Sequence, residues 1–176
     1  MVRPTPDRVR ETLFNWLSPY IAGARVLDAF AGSGALGIEA LSRGAAHTVL
    51  LDRDPQCIAA IRAQLRQWQI DETRFSAERV DALSWLAKGR SVDIPSFNIV
   101  FLDPPFDQGL WQASIAALER GCWLAPQAFV YLEVPARSRD ALPLALPPFW
   151  EHWRESTAGE VGYHLYKYNK AEGTGA

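Results

Sequence analysis

Short apolar runs alternate along this chain with stretches whose apolar residues recur at three- and four-residue spacing. The runs occupy residues 25–30, 48–51, 74–80, 97–102 and 129–134. Strands that alternate with helices in this way form a parallel sheet covered on both faces. Two later runs, 150–156 and 161–168, alternate as an antiparallel hairpin does. We therefore predict one α/β domain over residues 1–170, followed by a disordered tail at 171–176.

Helix boundaries follow from capping residues and prolines. The first helix is expected to begin after the cap Thr5, with Pro6 in its first turn, and to end at Ser18-Pro19. A later helix should open at Pro55, and its apolar spacing places Trp68 on the buried face.

Composition excludes several classes of protein. Apolar residues make up 48% and charged residues 22%, which is typical of globular chains, and the net charge of −2 argues against a histone-like nucleic-acid binder. No apolar run is long enough to span a membrane, and the N-terminus lacks the apolar core of a signal peptide. We expect a cytoplasmic protein in which Cys57 and Cys122 are reduced, buried thiols. The scattered His47, His152 and His164 predict no metal site.

A glycine-rich turn follows the first predicted strand. The segment Gly32-Ser33-Gly34-Ala35-Leu36-Gly37 fits the pattern G-x-G-x-x-G, and Asp52 lies 20 residues after Gly32. This combination matches the fingerprint of dinucleotide-binding folds, so an NAD-dependent dehydrogenase is one function that it allows. A tight turn with close helix packing explains the glycines without any ligand.

Acidic residues stand at the carboxyl ends of the predicted strands, where open parallel sheets bind ligands. Asp28 favours S-adenosylmethionine over a dinucleotide, because a carboxylate repels a pyrophosphate and attracts sulfonium and ammonium groups. Asp52 can accept hydrogen bonds from two ribose hydroxyls, or be a solvated turn residue, whereas Asp54 is predicted to cap the next helix. Asp81 can accept from an adenine amino group, or cap the helix that follows it.

The segment Asp103-Pro104-Pro105-Phe106 directly follows the strand at 97–102. The exocyclic amine of a base is a poor nucleophile, because its lone pair is delocalised into the ring. Two acceptors, the Asp103 carboxylate and the Pro104 carbonyl, would favour the pyramidal amine that attacks a methyl group, and prolines add no competing N–H. Phe106 offers a face on which a flipped-out base can stack. A turn that merely closes a buried strand explains the prolines but not the acid and the aromatic ring.

These motifs together resemble a known family. The segments Arg3 to Asn15, Asp28 to Ala45, Asp103 to Phe106 and Gly162 to Tyr166 are similar to the bacterial 16S ribosomal RNA guanine-N2 methyltransferases, the enzymes of guanine 966. The resemblance covers nearly the whole chain. It implies a Rossmann-like class I methyltransferase fold, with a seven-stranded, mostly parallel sheet whose last strand is reversed in the C-terminal hairpin. It also implies methyl transfer from S-adenosylmethionine to 16S rRNA within an assembling small ribosomal subunit.

The same resemblance implies roles for individual residues. The residues that would hold the cofactor are Thr12, Asp28, Phe30, Gly32, Ser33, Gly34, Asp52, Arg53, Asp81 and Ala82. The residues that would receive the guanine and catalyse the transfer are Asp103, Pro104, Pro105 and Phe106. The residues that would face RNA are Arg3, Arg8 and Arg10, on a helix that covers the cofactor pocket.

Two further functions stay open. One is methylation of adenine N6 in DNA, because the Asp-Pro-Pro-Phe motif does not specify the base. The other is a non-catalytic RNA-binding or assembly role on the same fold. Members of the family carry a further basic, glycine-rich stretch ahead of Arg-Pro-Thr, where this sequence has only Met1-Val2. The near-neutral net charge suggests a target presented by ribosomal protein and folded RNA together.

Overall fold

The computed structural model describes residues 7–106, 109–135 and 146–170, and its seven strands in these ranges form one sheet. The strands are β1 (Arg25–Asp28), β2 (His47–Asp52), β3 (Phe75–Arg79), β4 (Phe97–Leu102), β5 (Leu124–Pro135), β6 (Trp150–Ala158) and β7 (Val161–Tyr168). The helices are α1 (Asp7–Ile21), α2 (Ala35–Ser42), α3 (Pro55–Gln67), α4 (Ala82–Ala87) and α5 (Trp111–Arg120).

The order of the strands in the sheet is β3-β2-β1-β4-β5-β7-β6. Strands β1 to β5 are parallel, whereas β7 runs antiparallel to both β5 and β6. This confirms the predicted Rossmann-like sheet with its C-terminal hairpin. No helix within the described ranges is long and apolar enough to cross a membrane.

Alternate residues of the central strands pack against helices on opposite faces of the sheet. Leu27 of β1 lies in an apolar cluster with α4 and α5, whereas its neighbour Val26 lies in one with α1 and α2. Leu50 of β2 packs on the second face against α3. Each fully buried side chain of this size contributes about 1.5–3 kcal/mol. This two-sided burial is why the strands appear in the sequence as continuous apolar runs.

Helix α1 continues past the residue at which the sequence predicts its end. Pro19 lies inside the helix, which runs on to Ile21. Proline removes one helical hydrogen bond, but Leu17 and Ile21 are both buried on the same helix face, and this burial offsets the loss. The predicted cap at Thr5 and Pro6 lies outside the described residues.

Three side chains are more exposed than the sequence predicts. Trp68 is 51% exposed, because α3 ends at the residue before it and Gln69 turns the chain away with a φ of +54°. Cys57 is half-buried, and Cys122 is exposed in the turn that follows α5. Both cysteines are free, as predicted, but neither is buried.

The sequence suggests that His152 and His164 are scattered, but the structure brings them together. They lie on the paired strands β6 and β7, with His152 Nε2 and His164 Nδ1 3.2 Å apart. Twelve residues separate them in the sequence, and only the pairing of the hairpin brings them together.

Candidate active site

A cavity of about 740 Å³ opens at the carboxyl ends of the parallel strands, within the range of ligand-binding pockets. Its charged lining residues, among those that the structure describes, are Asp28, Asp52, Arg53, Asp54, Asp81, Asp103, Glu133 and Glu160. Seven of these are acids and one is a base. Low-dielectric walls that carry one sign of charge focus the field inside a cleft, so this cavity favours a cationic ligand.

The glycine-rich turn after β1 forms one wall of this cavity. Gly32 and Gly34 have φ values of +54° and +79°, a region that disfavours side chains. Gly32 lines the cavity, and its N–H donates to Asp52 Oδ2 at 2.8 Å. Gly34 has another role, because a Cβ there would lie 2.8 Å from Ile61 Cγ1. Gly34 thus permits the close approach of α2 to α3.

Asp52 holds the end of β2 against the glycine-rich turn. Its Oδ2 accepts from Gly32 N, and its Oδ1 accepts from Asp54 N at 2.8 Å. A carboxylate offers about four acceptor positions, so about two remain for a ligand. Asp52 is therefore more than a solvated turn residue, because it orders a wall of the cavity that it lines.

Asp54 and Asp81 cap helices. Asp54 Oδ1 accepts from Gln56 N at 2.8 Å, which confirms the predicted cap of α3. Asp81 Oδ1 accepts from Ser84 N at 2.8 Å at the start of α4, and this bond lowers the pKa of Asp81. Asp81 also lines the cavity, so the cap does not exclude the predicted contact with adenine.

Asp28 is 3% exposed, and its Oδ2 accepts from Gly37 N at 2.9 Å. Burial, with smaller contributions from the charges of Asp52 and Glu133, raises the pKa of Asp28 to about 7, although the Gly37 N–H opposes the shift. The sequence alone predicts a carboxylate at Asp28 that is negatively charged. In the structure its charge depends on pH, and a cation beside it would favour the ionised form.

Asp103 and Glu133 form a carboxyl pair in the same cavity. Burial, the charges of Glu133 and Asp28, and a hydrogen bond with Glu133 raise the pKa of Asp103 to about 8. The Tyr131 hydroxyl donates to Glu133 Oε1 at 2.8 Å, and Trp111 Nε1 donates to the Glu133 carbonyl oxygen at 2.7 Å. Two adjacent carboxyl groups cannot easily both ionise, so this pair retains a proton near neutral pH.

The sequence interpretation missed Glu133. This residue is 5% exposed and follows Leu132, which pairs with Leu102 directly before Asp103, so the strand register sets the two acids side by side. The available signal was an acid inside the apolar run at 129–134, because a buried acid in a central strand requires a partner.

The rest of the Asp103-to-Phe106 motif also lines the cavity. Pro104 is buried and Pro105 is exposed. The Phe106 ring contacts that of Trp111, with centroids 5.8 Å apart and planes at 41°. The carboxyl of Asp103 and the aromatic ring thus face one space, as the base-binding hypothesis requires.

The structure brings together most of the predicted cofactor-binding residues. The cavity lining includes Phe30, Ser33, Arg53 and Ala82, beside the acids already described. Two described residues of the predicted set, Gly34 and Thr12, are outside this lining.

The three predicted RNA-facing arginines lie at or before the start of α1. Thr12 Oγ1 in this helix donates to the Arg8 carbonyl oxygen at 2.9 Å, so Thr12 is engaged within α1. Arg8 is exposed, and Arg10 Nη2 pairs with Asp7 Oδ1 at 2.8 Å. Arg3 lies outside the described residues.

Comparison with known proteins gives matches along nearly the whole chain. A family model described as conserved hypothetical protein 95 matches residues 1–167. Ribosomal RNA small subunit methyltransferase D of Escherichia coli (strain K12) is 44% identical over 166 residues, 94% of this chain and 79% of that protein. Putative rRNA methyltransferase YlbH of Bacillus subtilis (strain 168) is 38% identical over 175 residues, 94% of this chain and 87% of that protein. The solved structure titled putative methyltransferase yhhF from Escherichia coli matches with a TM-score of 0.84 at 43% identity, covering 96% of this chain and 89% of that one.

Proposed function

The chain belongs to the family described as conserved hypothetical protein 95, and we propose that it methylates the exocyclic N2 amine of a guanine in 16S ribosomal RNA, with S-adenosylmethionine as the methyl donor. That it is a small-subunit rRNA methyltransferase follows from relatives of that name, 40–44% identical over nearly all of the chain. The guanine N2 target and the residue roles are the further content of the proposal.

One observation supports the proposal most directly: Asp103, Pro104 and Phe106 line the same cavity as the acids at the ends of β1 and β2. The first three provide hydrogen-bond acceptors and a stacking surface for an aromatic amine, and the acids provide negative charge for a cationic donor. The pyrophosphate of a dinucleotide would bring two negative charges beside Asp28, which weighs against the dehydrogenase interpretation.

The donor set of the cavity fits S-adenosylmethionine. When bound, this cofactor supplies an electrophilic methyl group on a cationic sulfonium. Asp28 and the turn at Gly32 would hold its methionine part, and Asp52 would accept from its ribose hydroxyls with the oxygen positions that its backbone bonds leave open. Asp81 and Ala82 would contact the adenine. The cofactor's cation would also lower the pKa of Asp28 and so stabilise the carboxylate that attracts it.

The guanine amine becomes nucleophilic through two acceptors. The Asp103 carboxylate and the Pro104 carbonyl would each accept a hydrogen bond from one N–H of the amine. This would localise the nitrogen lone pair and direct it toward the methyl group. Phe106 would hold the base by stacking, supported from behind by Trp111. Catalysis would then come from positioning and from a fixed electrostatic environment.

The carboxyl pair would take up the proton that the amine loses. Asp103 must be ionised to accept from the amine, and its raised pKa makes it a stronger base than an ordinary aspartate. Glu133 shares a hydrogen bond with Asp103 and is itself held by Tyr131, so a proton that arrives at Asp103 has a second carboxyl to move to.

The acidic cavity also constrains how RNA approaches it. Phosphates would be repelled from this concentration of acidic residues, so a single extruded base is the part of RNA that can enter. Phosphate contacts would fall to exposed cations outside the cavity, such as Arg8. An assembling small subunit, with protein and folded RNA presented together, would compensate for a chain whose net charge is −2.

The test is methylation of small ribosomal subunits from a strain that lacks this activity, followed by mapping of the modified nucleotide. We expect one methyl group on N2 of one guanine in 16S rRNA, and much slower transfer when Asp103→Ala replaces the wild type. Methylation of adenine N6 in duplex DNA but not of subunits would favour the DNA alternative. If the wild type and Asp103→Ala bind subunits equally well and neither transfers a methyl group, the protein has a non-catalytic role.

A further inference from the structure

A second group of side chains lies on the outer hairpin, formed by β6 and β7. His152 and Glu155 project from β6 and His164 from β7. Among the described residues, these three form a group of potential metal ligands whose donor atoms all lie within 4.8 Å of one another. Two imidazoles and a carboxylate are ligands that late first-row divalent ions prefer.

The three donor atoms form a nearly equilateral triangle. His152 Nε2 and His164 Nδ1 are 3.2 Å apart, and Glu155 Oε2 lies 3.6 Å from the first and 3.5 Å from the second. Ligands at about 2.0–2.2 Å from a tetrahedral zinc ion are about 3.3–3.6 Å from one another. The distances between the three donor atoms therefore match those between three corners of that tetrahedron.

A β-bulge makes this arrangement possible. Residues three apart on a regular strand project to opposite faces, so His152 and Glu155 would normally be separated by the sheet. The register between β6 and β7 shifts between His152 and Arg154, which inserts one residue and turns both side chains to one face. Glu155 then pairs directly with His164 across the hairpin.

A shallow cavity of about 220 Å³ adjoins the group. Glu155 and His164 line it together with Val134, Pro135 and Gly162. It leaves room beside the triangle for a fourth ligand, such as water or an oxygen of an anion. Three protein ligands with one open position are usual for exchangeable or catalytic zinc rather than for closed structural sites.

We propose that His152, Glu155 and His164 form a site for a single divalent transition-metal ion of the zinc type, with tetrahedral geometry and one open position. The ion would join β6 to β7 close to their turn. Ala158, Gly159, Glu160 and Val161 of that turn line the main cavity, so the ion would stabilise this part of the cavity wall.

The experiment titrates Zn²⁺ alone into the full chain by calorimetry, in a Cys57→Ser/Cys122→Ser background that removes the two free thiols as competing ligands. We expect one Zn²⁺ per chain and visible absorption bands of tetrahedral Co²⁺ when cobalt replaces zinc. His152→Ala and His164→Ala should each weaken binding by at least tenfold and abolish the cobalt bands.

The matched control is His47→Ala, because the ring of His47 faces the Thr73 carbonyl oxygen at the opposite edge of the sheet. This variant should bind Zn²⁺ as its parent does. Thermal unfolding of each variant without metal verifies that it is folded before titration. The proposal is overturned if the cysteine-free parent fails to bind Zn²⁺ at 0.1 mM, or if His164→Ala binds as tightly as that parent.

Discussion

Replacement of Asp103 by asparagine should make this protein less active and, at alkaline pH, more stable. Asp103 shares a hydrogen bond with Glu133 and lies within the electrostatic influence of Asp28, and burial adds to the cost of its charge. The asparagine side chain would keep the shape and a hydrogen bond to Glu133 but could not become charged. The like-charge repulsion that accompanies ionisation would therefore be absent from Asp103→Asn.

The size of the effect follows from the pKa of Asp103, which folding raises from 3.8 to about 8. Between pH 5.5 and pH 8 the unfolded chain has released this proton and the folded chain retains it. The free energy of unfolding of the wild type therefore falls by about 1.4 kcal/mol per pH unit, about 3 kcal/mol over this range, from this group alone. Asp103→Asn lacks that decline, so its stability relative to the wild type should increase by about 3 kcal/mol from pH 5.5 to 8.5.

Urea unfolding of both proteins at pH 5.5 and 8.5 measures this difference, which corresponds to about 6–12 °C in Tm for a domain of this size. Glu78→Gln serves as the control, because Glu78 is an exposed acid on the edge strand β3 and should leave the pH dependence unchanged. If Asp103→Asn and the wild type lose stability in parallel as the pH rises, Asp103 does not carry the raised pKa and the carboxyl-pair argument fails.

The same position should control methyl transfer. Asp103→Ala removes an acceptor from the amine but none of the backbone bonds that order the turn at Gly32, so cofactor affinity should change only a few-fold. Single-turnover methylation of subunits should slow by roughly 10²–10⁴, the range for a positioned proton acceptor. Asp103→Asn should keep partial activity, because its amide oxygen still accepts one hydrogen bond. A wild-type rate for Asp103→Ala would refute the amine-acceptor mechanism.

Three further outcomes are expected. Glu133→Gln removes the like charge beside Asp103, so the pKa of Asp103 should fall. The rise of kcat/KM with pH should then move to lower pH by about one unit. An unchanged pH profile would show that Glu133 does not influence the ionisation of Asp103. Asp52→Ala should weaken S-adenosylmethionine at least tenfold in calorimetry, since two charge-assisted hydrogen bonds contribute about 1.5–3 kcal/mol each; equal affinity would remove Asp52 from the cofactor site. Arg8→Ala with Arg10→Ala should weaken RNA binding and reduce its salt dependence; an unchanged salt slope would leave both as ordinary solvated helix charges.

The sequence determines most of the fold because the central strands are buried on both faces. Runs such as 97–102 have to be apolar on either side, and this makes them visible without any structure. The end of α1 was predicted wrongly because Pro19 indicates a helix end locally, whereas the burial of Ile21 is a tertiary effect. The strand order was available only through the family resemblance.

The candidate site was predictable where one segment supplies both the position and the chemistry. Asp103 to Phe106 and the turn at Gly32 are of this kind, since each directly follows a strand. The positions of Glu133 and of the hairpin histidines depend on the register of strand pairing, which the sequence patterns do not specify. Thr12 was included because the family resemblance placed its helix over the cofactor pocket, but its hydroxyl donates to a carbonyl oxygen within the helix.

The distribution of charge explains how a protein with a net charge of −2 can act on a polyanion. The acids are concentrated in a cavity whose negative potential would suit a cationic methyl donor, and there they would exclude phosphate. Because methyl transfer would remove the sulfonium charge of such a donor, the attraction between the cavity and the spent cofactor would weaken. Asp28, with a pKa of about 7, would then take up a proton, which would relieve its repulsion from the neighbouring acids Asp52 and Glu133. The same buried acids that favour binding of the donor would thus favour release of the product, whose sulfur is neutral. Raising the pH should therefore slow product release relative to methyl transfer. Comparison of steady-state and single-turnover rates can measure this difference.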